Sequence, residues 1–174
     1  MEIYNKTGEK WEQLSIELTF ARYQHCAVDI SGKLLIMGGK AEASVTETVE
    51  QYTINLATLE ASNITKANML TERYMFSCAV FENNVYISGG TDTYDDSVDM
   101  YDVDKDVWTR LTTTLNDGSS YYRQIINLNG ALYLFAKVTE VYKDGIWSLV
   151  NDSTISENDF FNMVVVPCEN YLCG

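Results

Sequence analysis

The chain has 174 residues, and its 12 Lys and Arg against 25 Asp and Glu give a formal net charge of −13 at pH 7. Binding to a phosphate backbone or to an anionic lipid surface needs concentrated positive charge, so this balance argues against nucleic-acid and membrane partners. A composition with 46% hydrophobic and 12% aromatic residues predicts a folded core.

The sequence contains no recognisable targeting or membrane segment. No apolar run reaches the roughly 20 residues that a spanning helix needs, and the first residues lack the apolar stretch of a secretory signal. We therefore expect a cytoplasmic protein. The cysteines fit a reducing compartment, because none lies in a C-x-x-C pair and their spacing predicts no disulfide framework. They are Cys26, Cys78, Cys168 and Cys173.

In chain order, the first predicted element is half of a repeated unit, in which Trp11 follows Tyr4 by seven residues. The next unit is complete. An alternating apolar run in this unit ends in a glycine pair, and Arg22 lies 16 residues before that pair. A later predicted strand carries Tyr52. Leu59 occupies the position seven residues beyond that tyrosine. The glycine pair is Gly38 and Gly39.

The third unit repeats these landmarks in register. Arg73 again precedes a glycine pair by 16 residues, and this second pair lies 51 residues after the first. Trp108 follows Tyr101 by the same seven residues. The pair is Gly89 and Gly90. So many landmarks in register indicate a structural repeat of about 50 residues.

The remaining units are weaker copies. Arg123 begins an apolar strand, the segment 135–137 replaces the glycine pair, and Trp147 follows Tyr142 by a shortened step. Residues 160–166 then read as a first strand. We place the units at residues 1–18 (half), 19–68, 69–115, 116–152 and 153–174 (half).

Each full unit predicts four short strands. Runs rich in Val, Ile, Tyr and Trp are bounded by Asn, Asp, Gly or Thr. The pairs Ser31-Gly32 and Asn83-Asn84 predict tight turns between first and second strands, and residues 104–106 predict the turn between third and fourth. No segment of about a dozen residues has a 3.6-residue period. The sequence therefore predicts an all-β protein.

This ordered set of landmarks resembles the kelch repeat, whose unit is one four-stranded blade of a β-propeller. The matching residues are Gly38, Gly39, Gly89, Gly90, Tyr52, Tyr101, Tyr142, Trp11, Trp108 and Trp147. The resemblance implies a kelch-type β-propeller with about three full blades plus two half blades. It is either part of a larger propeller, since family members more often have six or seven blades, or four blades with one split between the termini.

The loops that lead into the blades are the candidates for partner binding. They combine arginine with tyrosine, which offer large contact areas and strong hydrogen bonds and are common at interface hot spots. These residues are Arg22, Tyr23, Arg73, Tyr74, Tyr121, Tyr122 and Arg123. At equivalent places they would form a basic mouth that selects acidic peptides. The alternative for the arginines is a structural role in holding the neighbouring loop.

No catalytic or metal-binding constellation is apparent. The one histidine, His25, has Phe76 at the matching position of the next unit, which favours packing over metal binding. Cys26 and Cys78 recur in equivalent stretches as small core-facing residues, which argues against a nucleophilic role. We therefore expect no metal, no cofactor and no enzymatic activity.

The resemblance implies a protein-interaction domain that binds protein or peptide ligands. In many kelch-like members it follows BTB and BACK domains and recruits substrates to a cullin-type ubiquitin ligase. Those domains are absent from these residues, and their presence upstream would favour this role. We therefore expect the substrate-recognition kelch domain of a cullin-RING ubiquitin ligase adaptor. The alternatives are an actin- or cytoskeleton-associated kelch protein and, third, a propeller enzyme.

Overall fold

The structure is a computed structural model that describes residues 1–42, 44–90, 97–111, 123–136 and 138–154, with backbone alone for 138 and 151–154. These residues form strands and turns and no helix, so the prediction of an all-β protein is confirmed. Apart from the backbone of its first two residues, the half unit predicted at 153–174 lies outside the described residues. A two-stranded hairpin comes first, and three four-stranded antiparallel sheets follow it, each of them one blade.

The hairpin and the first blade come from the N-terminal part of the chain. The hairpin consists of β1 (Glu2–Asn5) and β2 (Lys10–Gln13). The first blade consists of β3 (Cys26–Ile30), β4 (Lys33–Met37), β7 (Val49–Asn55) and β8 (Glu60–Lys66). Between its second and third strands, the chain forms a small hairpin of β5 (Lys40–Ala41) and β6 (Ser44–Val45).

The second and third blades have the same antiparallel order without the extra hairpin. The second consists of β9 (Ser77–Phe81), β10 (Asn84–Ser88), β11 (Val98–Asp102) and β12 (Val107–Leu111). The third consists of β13 (Gln124–Leu128), β14 (Ala131–Phe135), β15 (Val138–Lys143) and β16 (Ile146–Thr154). Within each blade, the first strand pairs with the second, the second with the third and the third with the fourth.

Tight turns with positive φ join the first two strands of each blade, because such turns match the twist of the strands they connect. Ser31 and Gly32, with φ of 54° and 74°, form the predicted turn of the first blade. In the second blade the turn lies one residue earlier than predicted, at Glu82 and Asn83. The reason is that Asn84 already belongs to β10 and pairs with Phe81.

The blades lie side by side with their first strands adjacent, since β3 contacts β9 and β9 contacts β13. The hydrophobic core lies between the sheets, in two clusters. One joins the first and second blades and includes Leu35, Met37, Val49, Val85, Ile87 and Tyr101. The other joins the second and third blades and includes Tyr86, Val98, Ile125, Leu132, Leu134 and Trp147. Sheets stacked on one another in this way form an arc of a β-propeller, so the fold prediction is confirmed.

The matching tryptophans differ in environment. Trp108 and Trp147 are buried, and the indole Nε1 of Trp108 donates a hydrogen bond to the carbonyl oxygen of Ala67, 2.9 Å away in the first blade's terminal segment. Trp11 packs beside Tyr4 in the hairpin but is 67% exposed. No blade in the described part of the chain covers this pair.

Candidate partner-binding surface

The structure buries the arginines that the sequence analysis assigned to a binding mouth. Arg22, Arg73 and Arg123 are all buried, and the guanidinium groups of Arg22 and Arg73 bond within their own blades. A buried guanidinium must be paired and hydrogen-bonded to offset its lost hydration. Burial therefore supports the structural alternative for these arginines, and we no longer assign them to a partner.

Arg73 connects three parts of the second blade. Its Nη1 donates to the carbonyl oxygen of Gly89 at 2.6 Å, within the glycine pair. Its Nη2 donates to Ser97 Oγ at 2.8 Å and to Asp99 Oδ2 at 2.9 Å. The side chains of Arg73 and Asp99 are both fully inaccessible to solvent. This network fixes the loop that leads into the blade against the end of β10 and the start of β11.

Arg22 makes the equivalent network in the first blade. Its Nη1 donates to the carbonyl oxygen of Gly38 at 3.0 Å, and its Nη2 pairs with Glu50. The hydroxyl of Tyr52 donates to the same carboxylate. Burial raises the pKa of Glu50, but the hydrogen bonds from Tyr52 and Thr19 and the charge of Arg22 outweigh it, so the pKa is below its ordinary value. The carboxylate is therefore ionised at neutral pH.

The acidic partners of these arginines were not among the predicted site residues, although the sequence carries a signal for them. In each blade an acidic residue lies two positions before the landmark tyrosine, and all three are buried. They are Glu50, Asp99 and Glu140. A buried acid that recurs in step with a buried arginine predicts an internal ion pair. The constant spacing of two residues between the acid and the landmark tyrosine is the sequence signal for this ion pair.

The side chains between the buried anchors stay at the surface. Tyr23 is 50% and Met75 38% exposed, Gln24 is exposed, and Lys40 and Tyr74 are half-buried. We call these five residues the loop patch. Residues 22–25 form the first inter-blade loop and residues 73–76 the second, so the patch combines both loops with the residue that follows the first glycine pair.

Several contacts hold the loop patch together. Tyr23 and Lys40 exchange backbone hydrogen bonds of 3.0 and 2.9 Å. The backbone N–H of Met75 donates to the carbonyl oxygen of Gln24 at 3.0 Å, which joins the two loops across the gap between blades. The ammonium group of Lys40 lies 5.3 Å from the ring centre of Tyr74, within cation–π range. The patch is therefore a continuous surface across two blades.

The patch is not the predicted basic mouth. Its only cationic side chain is Lys40, because the arginines point into the blades. His25 beside it is half-buried, and burial, followed by the charge of Arg22, lowers its pKa, so the imidazole is neutral at neutral pH. The surface is aromatic and weakly charged. The candidates Tyr121 and Tyr122 lie outside the described residues and stay predictions.

The cysteine prediction is wrong for one pair. Cys26 of β3 and Cys78 of β9 form a disulfide, with their Cα atoms 6.2 Å apart at a sequence separation of 52. The separation is close to one repeat, so stacking brings the first strands of neighbouring blades next to each other. The expectation of no disulfide came from spacing along the chain and ignored this stacking. Cys168 and Cys173 lie outside the described residues.

In the part of the chain that the structure describes, no cluster of three or more His, Cys, Asp or Glu residues is arranged to hold a metal ion. The same residues include no helix that is long and apolar enough to cross a membrane.

Comparison with known proteins agrees with the blade geometry. Residues 72–114, which include Arg73, Trp108 and all four strands of the second blade, match the family model described as the Kelch motif. The second blade therefore matches a kelch repeat. Kelch repeats of this kind form protein-interaction domains, and the coarse functional expectation from the sequence is confirmed at that level.

Three curated relatives are similar to this chain. Each is named Kelch-like protein 23. The protein from Mus musculus and the one from Homo sapiens are each 29% identical over 118 residues, which cover 64% of this chain and 20% of the relative. The one from Pongo abelii is 28% identical over 149 residues, covering 80% of this chain and 25% of the relative. The chain thus spans a quarter or less of the length of the kelch-like relatives it matches.

Proposed function

We propose that this kelch chain binds a protein or peptide partner through the loop patch, and that it is the substrate-recognition part of a cytoplasmic cullin-RING ubiquitin ligase adaptor without enzymatic activity. One observation carries the binding proposal. The exposed side chains of Tyr23 and Met75 lie on loops whose backbones are held by buried ion pairs and by a hydrogen bond between the loops.

A rigid aromatic surface is well suited to binding. Tyrosine contributes a large apolar area and a hydroxyl group with little rotamer entropy to lose, and such residues dominate interface hot spots. The loops cannot relax freely, because Arg22 and Arg73 bind them to the glycine pairs. Preorganisation of this kind reduces the entropic cost of association. The weakly charged patch favours a partner segment that is apolar or aromatic over a strongly acidic one.

Capture experiments with point variants test the location of the site. Tyr23→Ala and Met75→Ala are expected to reduce recovery of the specific partner by about tenfold or more, as hot-spot truncations do. Leu56→Ala is the matched control, since Leu56 is 70% exposed and lies in the turn between β7 and β8, at the opposite end of the blade. Equal losses for Leu56→Ala and Tyr23→Ala would refute the loop patch as the binding surface.

The adaptor role is tested on the full-length protein. Co-purification of a cullin that persists when Tyr23 is replaced by Ala, together with loss of the substrate, would support an adaptor with separate ligase and substrate sites. Sedimentation of the chain with actin filaments tests the cytoskeletal alternative. Binding to filaments without any cullin would overturn the adaptor proposal and leave the loop patch to be tested on actin.

A further inference from the structure

The disulfide between Cys26 and Cys78 lies directly beside the loop patch. Cys26 follows the first inter-blade loop without a gap, and Cys78 lies two residues after the second. The bond therefore crosses the same space between blades as the hydrogen bond from Met75 to Gln24. One covalent link and one hydrogen bond together set the distance between the two loops.

The two loops have little freedom to adjust when this link is made. Gln24 and Met75 occupy equivalent positions and both have left-handed backbones, with φ of 55° and 56°. Non-glycine residues hold that conformation only where surrounding contacts impose it. The preceding tyrosines pack their backbones against the glycine pairs. The carbonyl oxygen of Tyr23 would lie 2.9 Å from a Cβ on Gly39, and that of Tyr74 would lie 2.4 Å from a Cβ on Gly90. Each loop is confined between a glycine pair and a disulfide-linked strand.

We propose that the Cys26–Cys78 disulfide is a reversible redox-sensitive clamp that fixes the two inter-blade loops and loosens them when it is reduced. Both cysteines are half-buried, so neither is fully enclosed in the core. The inference deepens the proposed function, because it controls the rigidity of the surface that is assigned to the partner. Disulfides in reducing compartments are usually transient and redox-sensing, which fits a clamp that opens and closes.

The chemistry balances with glutathione disulfide as the oxidant. The thiolate of one cysteine attacks a sulfur of glutathione disulfide, forms a mixed disulfide and releases one glutathione thiolate. The thiolate of the other cysteine then attacks the protein sulfur of that mixed disulfide and expels the second glutathione thiolate. The two cysteine thiols lose two electrons, and the two glutathione thiolates take up the two protons. Excess glutathione reverses both steps.

The test uses the 174-residue chain with Cys168→Ser and Cys173→Ser, so that only Cys26 and Cys78 react with a thiol label. The protein is equilibrated over a series of glutathione to glutathione disulfide ratios, and intact mass after alkylation gives the disulfide fraction. The proposal expects a titration within this series. A bond that stays closed at every ratio, or thiols that never pair, would overturn it.

Amide hydrogen exchange is measured on the same samples. Closure of the bond is expected to slow exchange in residues 22–26 and 73–78 by about tenfold, with little change in β16 of the third blade. Cys26→Ser/Cys78→Ser should exchange like the reduced protein at every glutathione ratio. Chemical reduction of the unsubstituted pair provides the same comparison if that variant does not fold. Equal exchange in the two redox states would refute the clamp.

These measurements contain no partner. A negative result therefore refutes the clamp and leaves the binding proposal intact, whereas unchanged capture by Tyr23→Ala refutes the binding site and leaves the clamp intact.

Discussion

Arg73 and Asp99 form an ion pair, 2.9 Å between Nη2 and Oδ2, in which neither side chain is accessible to solvent. The pair joins the loop before the second blade to its third strand, and Asp99 also accepts a hydrogen bond from Arg110 Nε at 2.9 Å. A buried charge depends on its partner, because removal of one member leaves the other without compensation. The pair therefore stabilises the geometry of the inter-blade loop.

Replacement of Asp99 by Ala is expected to lower the free energy of unfolding by about 3–5 kcal/mol, because Arg73 would stay buried without its carboxylate. Asp102→Ala is the control: Asp102 pairs with Lys105 at the surface, where solvent screens the charges, so little change is expected. Urea unfolding followed by tryptophan fluorescence measures both variants. Similar losses for the two variants would show that burial of the Arg73 pair does not matter.

The equivalent pair in the first blade gives a pH prediction. The pKa of Glu50 is below its ordinary value of 4.5, since hydrogen bonds and the charge of Arg22 outweigh its burial. The folded state therefore binds fewer protons than the unfolded state, and the contribution of Glu50 is fully present above about pH 4.5 and is lost as the pH falls through the lower, folded value. Removal of the carboxylate should thus matter most at neutral pH.

We expect the difference in unfolding free energy between wild type and Glu50→Gln to be largest near pH 7 and to shrink below about pH 4.5. Tyr52→Phe removes one of the hydrogen bonds that lower the pKa, so the folded-state pKa of Glu50 should rise, and the acid-induced loss should be smaller and end at a higher pH than in wild type. Urea unfolding at several pH values measures both. A difference that stays constant down to about pH 3 would contradict the assigned pKa shift.

The repeat itself could be predicted from the sequence because its signals are local. Turn residues such as Ser31 and Gly32 mark their own positions. The four-strand pattern and the stacking partners follow once the period is recognised. This covers the fold and the position of the inter-blade loops.

The environment of individual side chains could not be predicted in the same way. An arginine next to a tyrosine in a polar loop has the composition of a binding site, and only the acid across the blade, Asp99 for Arg73, indicates burial. The disulfide could not be predicted for a related reason. Cys26 lies four residues after its arginine and Cys78 five after its own, so an alignment of the repeats separates two atoms that the stacked strands bring together.

Gly90 of the second glycine pair and Gly130 in a turn of the third blade allow the strain of the backbone to be separated from the lack of space for a side chain. Gly90 and Gly130 have the same φ of 76°, but a Cβ at Gly90 would lie 2.4 Å from the carbonyl oxygen of Tyr74, whereas nothing lies within 4 Å of one at Gly130. Gly130→Ala should cost about 1–2 kcal/mol for the left-handed backbone alone. Gly90→Ala should cost a further 1–3 kcal/mol or so, since the inter-blade loop must move.

Thermal and urea unfolding of the two alanine variants measure this difference. Gly90→Ala should also accelerate amide exchange in residues 73–76, and Gly130→Ala should leave these amides unchanged. Equal destabilisation by both substitutions would mean that the glycine pair is needed only for its φ angle and not for the approach of the loop.

Trp108 tests the packing between blades. Its ring is buried and stacks on Tyr101 at 4.9 Å between ring centres, and its Nε1 donates to Ala67 O in the first blade. Trp108→Ala is expected to destabilise the chain by about 3–5 kcal/mol, as is usual for a buried large aromatic residue. Trp108→Phe keeps an aromatic ring and should lose about 1 kcal/mol for the missing hydrogen bond, with a further cost for its smaller size.

Trp11→Ala is the control, because the matching tryptophan of the hairpin is 67% exposed. It should change the unfolding midpoint little, since the indole already contacts water in the folded state. A loss as large as that of Trp108→Ala would show that a further blade covers the hairpin in solution. Analytical ultracentrifugation of wild type and Trp11→Ala would then separate cover by the chain itself from cover by a second copy, because only the second copy raises the molecular mass of the wild type.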